Sequence, residues 1–212
     1  GFLSENATFA KRCAEAGIVF IGPPAEVIEA LGDKLSARRI AQKAGVPVIP
    51  GTDDAVESAE QASDFAERCG YPVMLKAAFG GGGRGMRKCK NGSQLKELFE
   101  AASREAQTAF GRGEIFIEKF VENPRHIEVQ ILSDERSKTV HLLERDCSVQ
   151  RRNQKILEVS PSNKLTSKQK KTITKYATKL ARNIGYQNAG TVEFLLSSEG
   201  NIYFLEIFSI QF

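Results

Sequence analysis

No stretch of the 212 residues approaches the roughly 18 to 20 consecutive apolar positions that a bilayer-spanning helix needs, so no membrane span is expected. The four cysteines, Cys13, Cys69, Cys89 and Cys147, are far apart and form no CxxC pair. That spacing gives neither a zinc site nor a disulfide framework, and reduced thiols of an intracellular protein are the expectation. A large excess of one charge is also missing. Thirty basic against 26 acidic residues leave a net +4, which suits an anionic small molecule and does not mark a nucleic-acid surface. The opening Gly1-Phe2-Leu3-Ser4-Glu5 is neither an initiator methionine nor a signal peptide, and is expected to lie inside a longer protein.

What is present begins with bulk: 41% hydrophobic and 26% charged residues over this length build a real core in one or two globular units. The most informative stretch runs from Val73 through Lys76 and Gly80-Gly81-Gly82-Gly83 to Arg84 and Arg87. A buried strand entering a glycine loop turns backbone N–H groups toward one point, and Lys76 with the two arginines adds positive charge there. The P-loop order, in which Gly-Lys-Ser/Thr ends the loop, is absent, so the expected picture is a strand–loop–strand lid over phosphates. A flexible linker or an RGG-like segment is the alternative.

Along the chain, helices are expected at 6–16, 26–31, 35–44 (with Asp33 as N-cap), 58–69, 93–109 and 167–184, the last with a solvent-facing Lys-Gln-Lys-Lys run. Ile18-Val19-Phe20-Ile21 reads as a short buried strand. Lys34, at a helix start, is either an anion contact or an ordinary solvated lysine. Ile115–Val121 reads as a strand whose Glu118-Lys119 pair is either a solvated edge or part of a wall holding a flat purine. In the strand 126–132, His126, Glu128 and Gln130 share a polar face, which is either exposed or floors a cleft, and 139–143 is its hairpin partner. The segment 144–155 is extended and dense in charge, fitting either a small-anion site or a solvated loop. A final hairpin, 190–196 with 201–207, carries Glu193 on one arm and Glu206 on the other. Two carboxylates on neighbouring buried strands repel unless a cation lies between them, and Mg²⁺ shared with nucleotide phosphates answers that need.

Taken in order, Gly32-Asp33-Lys34, Lys76 with its glycine loop, Glu118-Lys119-Phe120-Val121, Pro124–Gln130, Glu144–Arg152 and Thr191-Val192-Glu193-Phe194 resemble the biotin carboxylase component of biotin-dependent carboxylases, members of the ATP-grasp superfamily. The runs Lys-Ala-Ala-Phe-Gly-Gly-Gly-Gly and Ala-Gly-Thr-Val-Glu-Phe-Leu are most similar to the pyruvate carboxylase branch. The resemblance implies an α+β ATP-grasp fold at 33–212, with a lid at about 48–120, after a remnant of an α/β domain at 1–32. It implies that Lys34, Lys76 and Gly80–Gly83 hold ATP phosphates, that Glu118, Lys119 and Val121 line adenine, and that His126, Gln150 and Asn153 contact the nucleotide. Lys155 would touch bicarbonate or its phosphorylated product, and Glu193 and Glu206 would ligate Mg²⁺ or Mn²⁺. The implied reaction is ATP-dependent carboxylation, through carboxyphosphate, of biotin on a carrier domain outside this chain. The implied parent is a homo-oligomer, in the mitochondrial matrix of a eukaryote or the cytoplasm of a bacterium, with no nucleic-acid or membrane partner.

Two departures stand out. Asn153 replaces the family's usual histidine, keeping hydrogen bonding without a charge. After Glu206 the sequence reads Ile207-Phe208-Ser209-Ile210-Gln211-Phe212 in place of the family's Asn-x-Arg-x-Gln-Val-Glu-His segment, which supplies a bicarbonate-binding arginine and a glutamate base. The expectation is a truncated piece that binds nucleotide weakly at best and does not turn over alone. A carboxylate–amine ligase of the same superfamily and a non-catalytic nucleotide-binding module are the alternatives.

Overall fold

The computed structural model describes residues 3–79, 85–136 and 138–209, apart from the side chain of Ser209. Elements follow in the order α1 (Ala7–Glu15), α2 (Ala25–Gly32), α3 (Lys34–Lys43), α4 (Ala59–Cys69), β1 (Val73–Ala77), β2 (Met86–Cys89), α5 (Leu95–Phe110), β3 (Ile115–Lys119), β4 (Arg125–Ser133), β5 (Thr139–Arg151), β6 (Gln154–Val159), α6 (Ser167–Asn183), β7 (Asn188–Leu196) and β8 (Ile202–Ser209). All strand pairings are antiparallel and fall into two sheets, β2-β1-β3 and β6-β5-β4-β7-β8.

The smaller sheet forms a lid with α4 and α5. Alternation along β1 and β3 sends Val73, Leu75, Ile115 and Ile117 into a core with Ala62, Ala66, Ala102 and Ala106. The alanines let both helices approach the sheet closely. Lys76 and Glu118 share the opposite face of the sheet, a diagonal pair in the register Met74↔Glu118 and Lys76↔Phe116.

The larger sheet forms the body. Ile127, Val129 and Ile131 of β4 and Val192 and Phe194 of β7 pack under Ile173, Ala177, Leu180 and Ala181 of α6. These four α6 residues recur at the helical spacing that makes one buried stripe. Its start is fixed by a capping box: the Thr166 hydroxyl accepts from the Gln169 N–H, and the Gln169 side chain accepts from the Thr166 N–H.

Residues 47–56 stitch lid to body. Phe204 N–H donates to Pro47 O (2.8 Å), while Lys119 N–H donates to Pro50 O (2.7 Å) and Thr52 N–H to Ile117 O (2.9 Å). A second tie runs from Lys34 N–H to Ala78 O (3.1 Å), beside a small cluster of Leu35, Ala78 and Phe116.

Three expectations need correction. Ile18–Ile21 is not a strand, and Val19 is 86% exposed, because no strand among the described residues offers it hydrogen-bond partners. The partner of β4 continues far past Leu143 to Arg151 and returns as β6, so the charged segment is part of the sheet. Within the lysine run of α6, Lys170 turns inward to the buried Glu144, with Nζ 3.0 Å from Oε1.

Gly85 closes the lid loop with φ +66°, and a Cβ there would lie 2.8 Å from Ala77 Cβ in a packed core. Gly111, at φ +72°, has open space around it. Gly85→Ala is expected to combine left-handed strain with overpacking, a loss of about 2 to 4 kcal/mol, and Gly111→Ala the strain alone, about 1 kcal/mol. Urea unfolding of both variants checks the ordering. Equal losses would show that Gly85 is not sterically confined.

Candidate functional site

Between lid and body lies a cavity of about 680 Å³. Its walls are partly apolar, with Val48, Met86, Phe116, Phe204 and Leu205, and its floor is the polar face of β4, β5, β7 and β8. Alternation creates that floor: with Ile127 and Val129 in the core, His126 and Glu128 must face the other way.

The register of the body sheet then aligns charge across four strands. Glu128 stands directly opposite Arg145 on β5 and Glu193 on β7, and Glu193 stands opposite Glu206 on β8. Three carboxylates side by side repel unless cations are interleaved. Arg145 supplies one such charge. Its Nε donates to Glu128 Oε1 (2.5 Å), and its other nitrogens donate to Gln130 Oε1 (3.0 Å) and Thr191 Oγ1 (3.2 Å). Lys155 supplies another from β6, its ammonium lying against Glu128 Oε2 and 2.5 Å from Glu193 Oε1.

Proton affinities follow from this arrangement. Burial works to raise the Glu128 pKa, but the hydrogen bonds from Lys155 and Arg145 win and hold it below the ordinary carboxylate range. Burial works against the charge on Lys155, which the two carboxylates nonetheless push upward. Glu206 differs. Burial and the neighbouring Glu193 raise its pKa, and Lys34 and Lys76 only partly offset them. Burial lowers the Lys34 pKa, the nearby Lys76 adding to it against the pull of Glu206. The Cys147 thiol, pushed up to about 12 by burial and Glu128, stays protonated.

On the lid side, Lys76 Nζ lies 2.5 Å from Glu118 Oε1, both groups buried. The structure therefore brings Lys34, Lys76, Glu118, His126, Gln150, Asn153, Lys155, Glu193 and Glu206 around one cavity. Lys119 and Val121 are not among its lining residues. The Lys119 ammonium instead donates to the carbonyls of Gly70 (2.8 Å) and Tyr71 (3.1 Å), because it follows Glu118 and so points to the other face of β3. Gly80, Gly81, Gly82 and Gly83 lie outside the described residues. Asn153 sits with Arg152 in the β5–β6 hairpin turn, both at positive φ (63° and 53°), a backbone state that asparagine tolerates well.

Sequence reasoning did not single out Glu128 or Arg145 as site residues. The signal available was the polar face of 126–130, but a register counted back from the 133–138 turn would put Glu144 opposite Glu128, and only the irregularity between Val129 and Ile131 shifts the pairing by one residue to bring Arg145 there.

The donor set fits a divalent cation. Glu193 and Glu206 stand opposite each other on β7 and β8, and burial together with Glu193 disfavours the charge on Glu206, a conflict that a shared cation would relieve. His126 Nε2 lies 2.8 Å from Glu193 Oε2 but outside hydrogen-bond geometry, leaving this buried nitrogen without a hydrogen-bond partner. With Glu128 and Glu193 it forms a group whose ligand atoms lie within 4.8 Å of one another.

These shifts have opposite consequences for stability. Glu206 binds its proton more tightly when folded, so its contribution is present below its unfolded pKa and lost as pH rises through the folded value. Glu128 contributes above its unfolded pKa, and that contribution is lost as pH falls through the folded value. Glu206→Gln is expected to stabilise the chain by on the order of 1 kcal/mol at pH 8 and hardly at all near pH 4.5. Glu128→Gln should destabilise it by about 3 kcal/mol at pH 8 and less in acid. Thermal unfolding at the two pH values checks both signs; a Glu206→Gln variant less stable than wild type at pH 8 would contradict the first.

Residues 33–209 match the family described as carbamoyl-phosphate synthase L chain, ATP binding domain, and residues 1–28 match the biotin carboxylase N-terminal domain. Pyruvate carboxylases of Pichia angusta and Bacillus subtilis are each 52% identical over 207 residues, covering 98% of this chain and 18% of the relative. A biotin carboxylase from Campylobacter jejuni, solved as a β,γ-ATP complex, superposes with a TM-score of 0.95 at 49% identity, covering 98% of this chain and 46% of that one. The biotin carboxylase domain of the Hydrogenobacter thermophilus 2-oxoglutarate carboxylase, solved with MgADP, ADP and bicarbonate, also gives 0.95 at 49% identity, over 100% of this chain and 47% of that one. The chain thus spans under a fifth of the length of these curated relatives and under half of these solved chains. With its lid, its two sheets and the cavity between them, it belongs to the carbamoyl-phosphate synthase L chain ATP-binding family and, within it, to the biotin carboxylases of the ATP-grasp superfamily.

Proposed function

We propose that this chain is the nucleotide-binding part of a ligase that uses ATP and bicarbonate to carboxylate biotin through carboxyphosphate, as the biotin carboxylase part of a pyruvate carboxylase-like enzyme. The observation that carries the reading is the gathering of charge around one cavity, lined by Lys34 and Lys76 together with Glu193 and Glu206. A triphosphate between them meets ammonium groups directly and carboxylates through a metal.

In this reading the apolar walls at Val48, Met86, Phe116 and Phe204 enclose the adenine, and the Lys76 ammonium exchanges Glu118 for a phosphate oxygen. Gly80–Gly83 cover the phosphates, and Lys119 and Val121 act from the backbone of the strand linking lid to body. His126, Gln150 and Asn153 orient ribose and phosphate. Glu193 and Glu206 hold Mg²⁺ or Mn²⁺, which when bound neutralises charge developing on the transferring phosphoryl group. Lys155 holds bicarbonate, where a fixed cation stabilises the anion formed on transfer. Closing the lid keeps water from the labile mixed anhydride. The partners of the parent are a biotinylated carrier domain and further copies of itself, with neither nucleic acid nor membrane among them. Among the described residues no helix is long and apolar enough to cross a membrane. The proposed location is intracellular, in the mitochondrial matrix or the bacterial cytoplasm according to source.

Calorimetric titration with MgATP tests the reading. Saturable binding is expected, weakened at least tenfold, by about 1.4 kcal/mol or more, in both Lys76→Ala and Glu193→Gln. Binding that survives unchanged in both variants would place the nucleotide elsewhere.

A further inference from the structure

We infer that Lys155 occupies the metal's place on Glu193, and that its displacement by the metal is what frees its charge for the small anionic substrate. The inference rests on the reading of Glu193 as a metal ligand. One oxygen of this almost fully buried carboxylate is held, Oε1 by Lys155 Nζ at 2.5 Å, while Oε2 lies 2.8 Å from His126 Nε2 outside hydrogen-bond geometry. A divalent cation on Glu193 therefore meets the ammonium charge of Lys155 at Oε1 and the ring of His126 beside Oε2.

Lys155 is the one that can leave at small cost. It is a four-carbon stem on the edge strand β6, with its side chain 28% exposed, beside the hairpin turn at Arg152 and Asn153. Its departure does not strand Glu128, whose other oxygen keeps the Arg145 Nε at 2.5 Å. Arg145 is itself fixed by Gln130 and Thr191. The body thus holds one permanent and one exchangeable positive charge.

The exchange couples two ligands. While Lys155 neutralises Glu128 and Glu193, an anion can bind its ammonium only by leaving buried carboxylates less well paired, which is costly. A metal on Glu193 removes part of that cost, and Gln150 and Asn153 already line the same cavity. By linkage, the anion must strengthen metal binding by the same factor, and couplings of this kind typically amount to roughly 5- to 150-fold.

The test is Mn²⁺ binding to the 212-residue chain, read from the electron paramagnetic resonance signal of free Mn²⁺, with bicarbonate or with chloride at equal ionic strength. Glu193→Gln is expected to weaken Mn²⁺ at least tenfold; no change there would refute the metal reading itself. Lys155→Met is expected to bind Mn²⁺ about fivefold or more tightly than wild type and to lose the bicarbonate effect. In wild type, bicarbonate should tighten Mn²⁺ about fivefold or more. Unchanged or weaker Mn²⁺ binding in a folded Lys155→Met, with Glu193→Gln still defective, would overturn the inference while leaving the metal site standing. Should Lys155→Met fail to fold by circular dichroism, the wild-type comparison decides alone, and indifference of Mn²⁺ affinity to bicarbonate overturns it.

Discussion

Three carboxylates in one row of an antiparallel sheet are the constraint on which this structure turns. Glu128, Glu193 and Glu206 sit directly opposite one another on β4, β7 and β8, two of them almost fully buried. Arg145 and Lys155, brought in from β5 and β6, pair with Glu128 and Glu193, and the tight return of β5 at Arg152 and Asn153 sets Lys155 beside them. Burial of this kind is weak evidence for stability, since well-packed apolar residues would hold the sheet as firmly. What such a row offers instead is a place for cations.

The lid carries the complementary charge. It has its own core around Leu75 and Ile117, and it reaches the body through short backbone ties at residues 47–56 and at Lys34. Lys76, buried against Glu118, is held by a partner with which a phosphate can compete. Lys76 on the lid and Lys155 on the body are thus each paired to a carboxylate, and ligand binding becomes an exchange of ionic partners. Exchange avoids the desolvation penalty that exposing a bare buried charge would bring.

Much of this was legible from the residues. The helices at 7–15, 34–43, 59–69 and 167–183 follow from composition and apolar spacing, and the second of them from its cap at Asp33, while the caps at Asn6, Ser58 and Thr166 emerge from the structure. The hairpin bearing Glu193 and Glu206 follows from alternation. Ile18–Ile21 shows the limit: an apolar run specifies a strand only if another strand is there to pair with it. Lys170 shows another, because helical periodicity does not reveal a buried carboxylate on a neighbouring strand. The third carboxylate was missed for a related reason. The polar face of β4 was plain, but its role depends on a register that joins residues 65 positions apart, Glu128 and Glu193, and local pattern does not encode that distance.

The most direct test of this account is the position of Mn²⁺ in crystals grown with MnADP, located by anomalous scattering. The account predicts a peak within coordination distance of both Glu193 and Glu206, with the Lys155 ammonium withdrawn from Glu193. A peak that touches neither carboxylate, or one beside Glu193 with Lys155 still bound to it, would contradict the exchange of cations proposed for this site.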